Sequence, residues 1–305
     1  MELAERLGGT VINADSMQVY ADVPIVTAQP SAADRARAPH ALYGVRNAAK
    51  PGNVAWWREE ALVGMDAALA LGRVPILCGG TGLYLSALVQ GLSPMPPADA
   101  ASRAEARGLL AAEGPLALHA RLLAVDPATP LRPSDGQRLA RAWEVWRVTG
   151  RTLGEWQALK GEAAPYAFRM VLLDPPRAAL RAASRDRFGA MVKDGAVREV
   201  SALLARGLDW ALPAMRAHGV PELAGHLAGR TSLAEATERV VLATGQYMKR
   251  QATWFRHRPP VAGVHTHTIH ARFAGSKQFS ESEWACIESF ISGRADEPGP
   301  GERLP

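Results

Sequence analysis

Apolar and polar positions split the start of this chain into alternating helix-like and strand-like stretches. Residues 2–7 (ELAERL) carry helical spacing and run into Gly8-Gly9, a pair suited to a left-handed helix cap. Val11, Ile12 and Asn13 follow as a short strand. Residues 54–71 again show helical periodicity. VPILCGG (74–80) is a continuous apolar run ending in two glycines, which predicts a strand buried in a parallel sheet. GLYLSALVQGL (82–92) predicts a helix leaving that strand. Strand, glycine turn and helix form the βα unit of a doubly wound α/β fold, whose ligands bind beyond the carboxyl ends of the strands. Asn13-Ala14-Asp15 and Gly79-Gly80-Thr81 both fall at that edge.

The pattern changes at SPMPPAD (93–99), a proline-rich hinge. From 100 to about 160 the spacing predicts helices alone, over 100–113, 115–124, 134–149 and 152–160. FRMVLLD (168–174) reads as a strand, returning the chain to the sheet. A helical segment between two sheet strands is an inserted domain. The expected organisation is therefore an α/β core from 1–95 and 165–270, a helical insertion at 96–164, and a disordered polar tail at 293–305. After Pro176 the pattern is mostly helical through about 256, and VAGVHTHTI (261–269) alternates as a final strand.

Composition narrows the class. With 305 residues, 48% hydrophobic and 21% charged, the chain suits a soluble globular protein with a sizeable core. It shows neither an uninterrupted apolar run of about 18 residues nor a signal-peptide pattern. The two cysteines, Cys78 and Cys286, lack disulfide-framework or metal-ligand spacing. A cytoplasmic, monomeric protein without membrane attachment is expected. The net charge is +5, and only five of the 35 basic residues are lysine. Arginine suits phosphate because its planar fork makes paired hydrogen bonds. A GC-rich genome would also enrich arginine, so only placed arginines bear on function.

Five groups of residues could carry chemistry. Asp15, just past a strand, suits a carboxylate base or a metal partner, or equally a turn residue or helix cap. Gly79-Gly80-Thr81 would let backbone N–H groups and a hydroxyl approach a phosphate; it also reads as a tight turn with a threonine cap. Arg187 falls by helical angle within the stripe of Leu180, Ala183, Phe188 and Met191, pointing inward. An inward arginine needs an anion, either a ligand or a buried acid. On 134–149, Gln137, Arg138 and Arg141 share one face opposite Leu139, Ala142, Trp143 and Trp146. That face suits a nucleic-acid backbone or simply solvent. QYMKRQATWFRHR (246–258) interleaves basic and aromatic residues, as an RNA surface or as an amphipathic core helix.

Taken together, INADSMQVY (12–20), TAQPS (27–31), APHALYG (38–44), GGTGLYLSALVQGLSPMP (79–96), DGQRLARAWEV (135–145), MRAHGVPEL (215–223) and KRQATWFR (249–256) resemble the tRNA dimethylallyltransferases, also called tRNA isopentenyltransferases. The resemblance implies a P-loop NTPase-like parallel sheet with an inserted helical domain. It also implies transfer of a dimethylallyl group from its diphosphate to N6 of the adenosine beside the tRNA anticodon, usually with Mg²⁺. Asp15 would be the general base, and Thr81 and Arg187 would hold the diphosphate. Asp15, Ser16, Met17 and Gln18, with Gln137, Arg138, Leu139, Ala140 and Arg141, match segments that contact the anticodon stem-loop, and Arg103 is a further candidate.

The sequence departs from that family in three places. Its members normally open with a strand and a loop of the form GPTASGKS, whereas no G-x-x-x-x-G-K-[ST] occurs here. That removes a phosphate cradle and a central strand, leaving open sheet edges. Ala183 and Gly245 stand where members often carry arginine. The expectation is that Met1 is an internal methionine and that the natural protein has upstream residues; a truncated copy is the alternative. Competing functions are a transferase acting on free adenine nucleotides and a non-catalytic tRNA-binding protein. A nucleoside kinase fits less well, given the missing phosphate loop.

Overall fold

The computed structural model describes residues 1–159, 161–273 and 278–293; most of the tail expected to be disordered lies outside them. The chain forms two compact units, Met1–Val89 with Pro165–Pro305, and Gln90–Ala164. In chain order the elements are α1 (Glu2–Arg6), β1 (Thr10–Asn13), α2 (Ala32–Arg37), β2 (His40–Ala41), α3 (Val54–Ala70), β3 (Pro75–Cys78) and α4 (Gly82–Val89). Next come α5 (Ala100–Val125), α6 (Gly136–Thr149) and α7 (Leu153–Ala158) of the second unit. The first unit resumes with β4 (Met170–Leu173), α8 (Arg177–Asp194), α9 (Ala196–Ala205), α10 (Val220–Leu227), α11 (Leu233–His257), β5 (Thr266–Ile269) and α12 (Glu281–Ile291).

All described strand pairs are parallel, as the α/β reading requires. They nevertheless form two sheets, β2-β1-β3 and β4-β5. The register pairs Val11 with Ile76 and Met170 with Thr266. The expected return of 168–174 to the first sheet is thus corrected. No described strand pairs with both β3 and β4, so each keeps an edge without a strand partner. For the same reason β3 is not the buried strand its apolar run predicts. Its residues are half-buried and Cys78 is exposed, whereas β1, paired on both sides, is buried throughout.

The core beside the site rests on β1 and α3. Ile12, Trp57, Ala61 and Met65 are almost wholly buried. Asn53 starts α3, its side chain accepting the Trp56 N–H. Trp57 stacks on Tyr84 of α4 at 4.7 Å between ring centroids. This stack fixes α4, and with it the glycine turn, over the end of β1.

The second unit has its own core, with Ala106, Leu118, Leu122, Leu139, Ala142 and Trp143 packed together. By length and composition α5 could cross a membrane. Its helix is broken at Gly114, which has φ 79° and precedes Pro115, and its apolar face lies against α6. The break coincides with the boundary expected between 100–113 and 115–124.

Candidate active site

The carboxyl ends of β1 and β3 converge on one turn. Asn13, the last residue of β1, is fully buried. Its side-chain oxygen accepts the Asp15 N–H at 2.9 Å, and its amide donates to Asp15 O at 2.9 Å and Leu42 O at 3.1 Å. The indole N–H of Trp57 donates to Asn13 O at 2.8 Å. A short polar residue closing an apolar strand thus spends its side chain on shaping Asp15 and tying it to the Leu42 backbone.

Asp15 is half-buried. Its Oδ1 accepts the N–H groups of Met17 at 2.8 Å and Gln18 at 3.3 Å. The turn reading of this residue therefore holds. One oxygen closes a turn, while Oδ2 receives no hydrogen bond from the described residues and is free to take a proton. Burial raises the Asp15 pKa, against the opposing pull of those two N–H groups, His218 and Arg187.

Gly79 is required by the close approach of backbone, and Gly80 lies against the end of the Gln251 side chain. A Cβ at Gly79 would lie 2.2 Å from the Ala14 carbonyl carbon, and one at Gly80 would lie 1.9 Å from Gln251 Nε2. Thr81 opens α4 through its carbonyl, which accepts the Tyr84 and Leu85 N–H groups. Its hydroxyl does not cap the helix. It accepts the Ser16 N–H at 3.0 Å and donates to Ser16 Oγ at 3.4 Å, tying the two strand ends together.

Arg187 requires a correction. The buried residues of α8 are Ser184 and Phe188, so the apolar stripe is rotated from the predicted one and Arg187 stands at its rim, exposed. It makes no ion pair among the described residues. Partial desolvation and the nearby Arg272 lower its pKa, while Asp15 pulls the other way. The charge is unpaired and faces the Asp15 region, which suits an anionic ligand better than a structural salt bridge.

Helix α11 completes the wall. Tyr247, Gln251 and Trp254 are spaced to share a face, and they meet the glycine turn. Gln251 donates to Gly80 O at 2.9 Å. Burial raises the Tyr247 pKa, with the Thr81 and Gln251 side chains pulling the other way. A Cβ at Gly82 would lie 2.3 Å from Trp254 Nε1, a buried donor without a partner among the described residues. Lys249, Arg250, Arg256 and Arg258 lie on the exposed side. The aromatic and basic residues read as one RNA surface are therefore divided between two faces.

The family model described as IPP transferase matches residues 18–258. A protein of Gluconobacter oxydans named tRNA dimethylallyltransferase is 56% identical over 299 residues, covering 97% of this chain and 90% of the relative. The chain belongs to the IPP transferase family. Among solved structures, the full-length tRNA isopentenylpyrophosphate transferase of Bacillus halodurans is similar, with TM-score 0.66, 29% identity, and 97% and 91% of the two chains covered. A eukaryotic dimethylallyltransferase acting on tRNA matches with TM-score 0.77 and 25% identity, covering all of this chain and 77% of its own.

In this family member the remaining predicted contacts are placed unevenly. Gln18 spends its amide on Thr27 O at 2.9 Å and Ala28 O at 2.8 Å, so that donor holds the TAQPS loop. Ser16 and Met17 are half-buried beside Asp15. In the second unit, Gln137 and Arg138 are exposed, with Arg138 paired to Asp135 at 3.4 Å. Arg141 pairs with Glu144 at 3.2 Å. Leu139 and Ala140 are corrected: they are 0% and 8% exposed, on the core face of α6, and do not present side chains to RNA. Arg103 donates to Ala98 O and Asp99 O, closing the start of its own helix.

Sequence reasoning put Asn13 at the strand edge without a role, read Tyr247 and Gln251 only within the 246–258 stretch, and gave His218 no role. Asn13 carried a legible signal, as a polar residue ending an apolar strand. The others lie far along the chain from Thr81, and no local pattern joins them to it. The role of Glu199 was equally hidden; it accepts the N–H groups of Ile25 at 2.7 Å and Val26 at 2.9 Å.

Proposed function

We propose that this chain transfers a dimethylallyl group from dimethylallyl diphosphate to N6 of the adenosine 3′-adjacent to the tRNA anticodon. The observation that carries this reading is a carboxylate with one oxygen free of hydrogen bonds beside a threonine hydroxyl at neighbouring strand ends, with the unpaired Arg187 of α8 near enough to act on Asp15 electrostatically. The exocyclic amine of adenine is a poor nucleophile, and Asp15 Oδ2 takes its proton as the N6–carbon bond forms. The carbon–oxygen bond of the donor breaks, and the diphosphate departs with the electron pair. Arg187 and the Thr81 hydroxyl meet the charge growing on that oxygen. A base stacked in an RNA loop must first be extruded to reach Asp15.

A divalent metal fits this donor set, with Mg²⁺ the natural choice for a diphosphate. The described residues contain no cluster of three or more His, Cys, Asp or Glu. The metal would ride chiefly on the diphosphate oxygens, with the Thr81 and Ser16 hydroxyls as hard protein ligands. When bound it would neutralise charge on the leaving group. Gln137, Arg138 and Arg141 supply an exposed face for the stem-loop backbone. We place the enzyme in the cytoplasm with its tRNA, acting as a monomer.

The test is mass spectrometry of an anticodon stem-loop incubated with protein and dimethylallyl diphosphate. A gain of one dimethylallyl unit on the adenosine, lost in Asp15→Ala, supports the reading. Retained stem-loop binding with no gain would indicate a binding protein instead.

A further inference from the structure

Resting on the prenyl-transfer reading, we infer that Glu199 is a positioning residue for Asp15, its carboxylate holding the turn 23–28 that fixes Gln18 against the Asp15 side chain. Residues 23–28 form one helix-like turn, in which the N–H groups of Thr27, Ala28 and Gln29 donate back to Val23 O, Ile25 O and Pro24 O. Such a turn leaves its first N–H groups and its last carbonyls without internal partners. Pro24 has no N–H, so the first donors to satisfy are those of Ile25 and Val26. Glu199 of α9 accepts both, one on each carboxylate oxygen, at 2.7 and 2.9 Å. It is an N-terminal cap delivered from 173 residues further along the chain than Val26. The other end of the turn is closed by Gln18, whose amide donates to Thr27 O at 2.9 Å and Ala28 O at 2.8 Å.

The turn thereby joins α9 to the catalytic strand end. Gln18 is anchored on it by its side chain, while its backbone N–H donates to Asp15 Oδ1 at 3.3 Å, beside the Met17 N–H at 2.8 Å. Those two bonds pin one carboxylate oxygen and leave Oδ2 as the one offered to the adenine amine. Ala28, whose carbonyl Gln18 grips, has φ 55°, a left-handed conformation that costs an alanine energy. Backbone in that state persists where its surroundings hold it. Bonds from N–H groups to a carboxylate are about twice as strong as those to a neutral acceptor, so Glu199 is the firmer of the two caps. Arg206, which follows α9, pairs with Asp22 just before the turn, and Val23 and Val26 are buried. These contacts keep the turn in place when the carboxylate is altered.

Glu199→Gln keeps the side-chain length but sets an NH₂ group against a backbone donor. Hydrogen exchange read by mass spectrometry should show the Met17 and Gln18 amides exchanging about 5- to 15-fold faster, with α3 unchanged. Gln18→Met removes the opposite cap and should speed exchange in the same peptide, which keeps the test open if the first variant fails to fold. In steady state, Glu199→Gln should lower kcat about tenfold while the KM values for dimethylallyl diphosphate and the stem-loop stay constant. In an Asp15→Asn background the same change should lower the residual rate no further, because its route ends at Asp15. Wild-type exchange at Met17 and Gln18, or wild-type kcat, would overturn the assignment. An equal loss of kcat with and without the Asp15 carboxylate would overturn it too, making Glu199 a support of the fold only. A wild-type chain that transfers no dimethylallyl group would overturn the prenyl-transfer reading, and the hold of Glu199 on Asp15 would then stand or fall on the exchange result.

Discussion

Replacing Asn13 by alanine should cost this protein both stability and chemistry. The side chain makes three hydrogen bonds at 2.9–3.1 Å, to both backbone groups of Asp15 and to Leu42 O, and it is wholly buried. Each such bond contributes about 1 kcal/mol net, so their joint loss amounts to about 3 kcal/mol. By size scaling, the melting temperature should fall by about 6–12 °C. Trp57 is a built-in reporter, since its indole donates to Asn13 O and its ring is fully buried. Urea titration followed by tryptophan fluorescence should show the midpoint falling with little change in slope. Transfer should also fall by about 10²-fold at saturating substrates, because Asp15 loses the contacts that aim its free oxygen. A stability loss below about 1 kcal/mol together with unchanged turnover would refute the claim that Asn13 builds the site.

Because burial raises the Asp15 pKa, transfer should increase with pH through a value above the ordinary aspartate range, where the base becomes ionised. Stability follows the opposite sign. The fold favours the protonated acid, so this contribution is complete below the unfolded pKa and lost as pH rises through the folded value. Asp15→Asn should accordingly gain melting temperature relative to wild type as pH rises from the unfolded aspartate pKa through the raised folded one, while losing about 10²- to 10⁴-fold in rate; a melting difference that ignores pH would refute the desolvation argument. Arg187→Ala should weaken use of the prenyl diphosphate about tenfold or more and leave stem-loop binding near normal, and the reverse pattern in paired kinetic and binding assays would remove its role. Gly79→Ala places a Cβ 2.7 Å from Asp15 N and should cost about 1–3 kcal/mol together with activity, so intact turnover would show that the turn yields easily.

Local chemistry was legible in this sequence, and long-range pairing was not. The helical period of α3, the break between Gly114 and Pro115, and the glycine-ended run before α4 each carry their cause within a few residues. Asp15 and Thr81 stood out for the same reason, being punctuation after strands. β2 has only two residues, His40 and Ala41, with no period to detect, and exists through its pairing with β1. The helix α12 was overlooked although Ser280 and Glu283 form a capping box that a closer reading would have caught. Arg187 shows the limit of an angular argument, because a shift of the buried stripe to Ser184 and Phe188 moves it from the interior to the rim. The placement of Leu139 and Ala140 shows the complementary error, in which a motif is taken whole although a helix turns its members to opposite sides.

Interruption of the first unit by Gln90–Ala164 also sets a timetable for synthesis. The ribosome delivers Asp15 and Thr81 early, then the whole helical segment, and only afterwards Arg187 and Tyr247. At about 5–20 residues per second, the interval between Thr81 and Tyr247 lasts roughly 10–30 s. Through most of it β1 and β3 exist without α8, and throughout it without the completed α11 that meets the glycine turn. The helical segment is contiguous and carries its own core, so it can fold while the earlier half waits. The nascent chain therefore spends its most vulnerable period with an uncovered sheet edge, and a chaperone that shields β3 at that stage would raise the yield of active protein more than one acting after release.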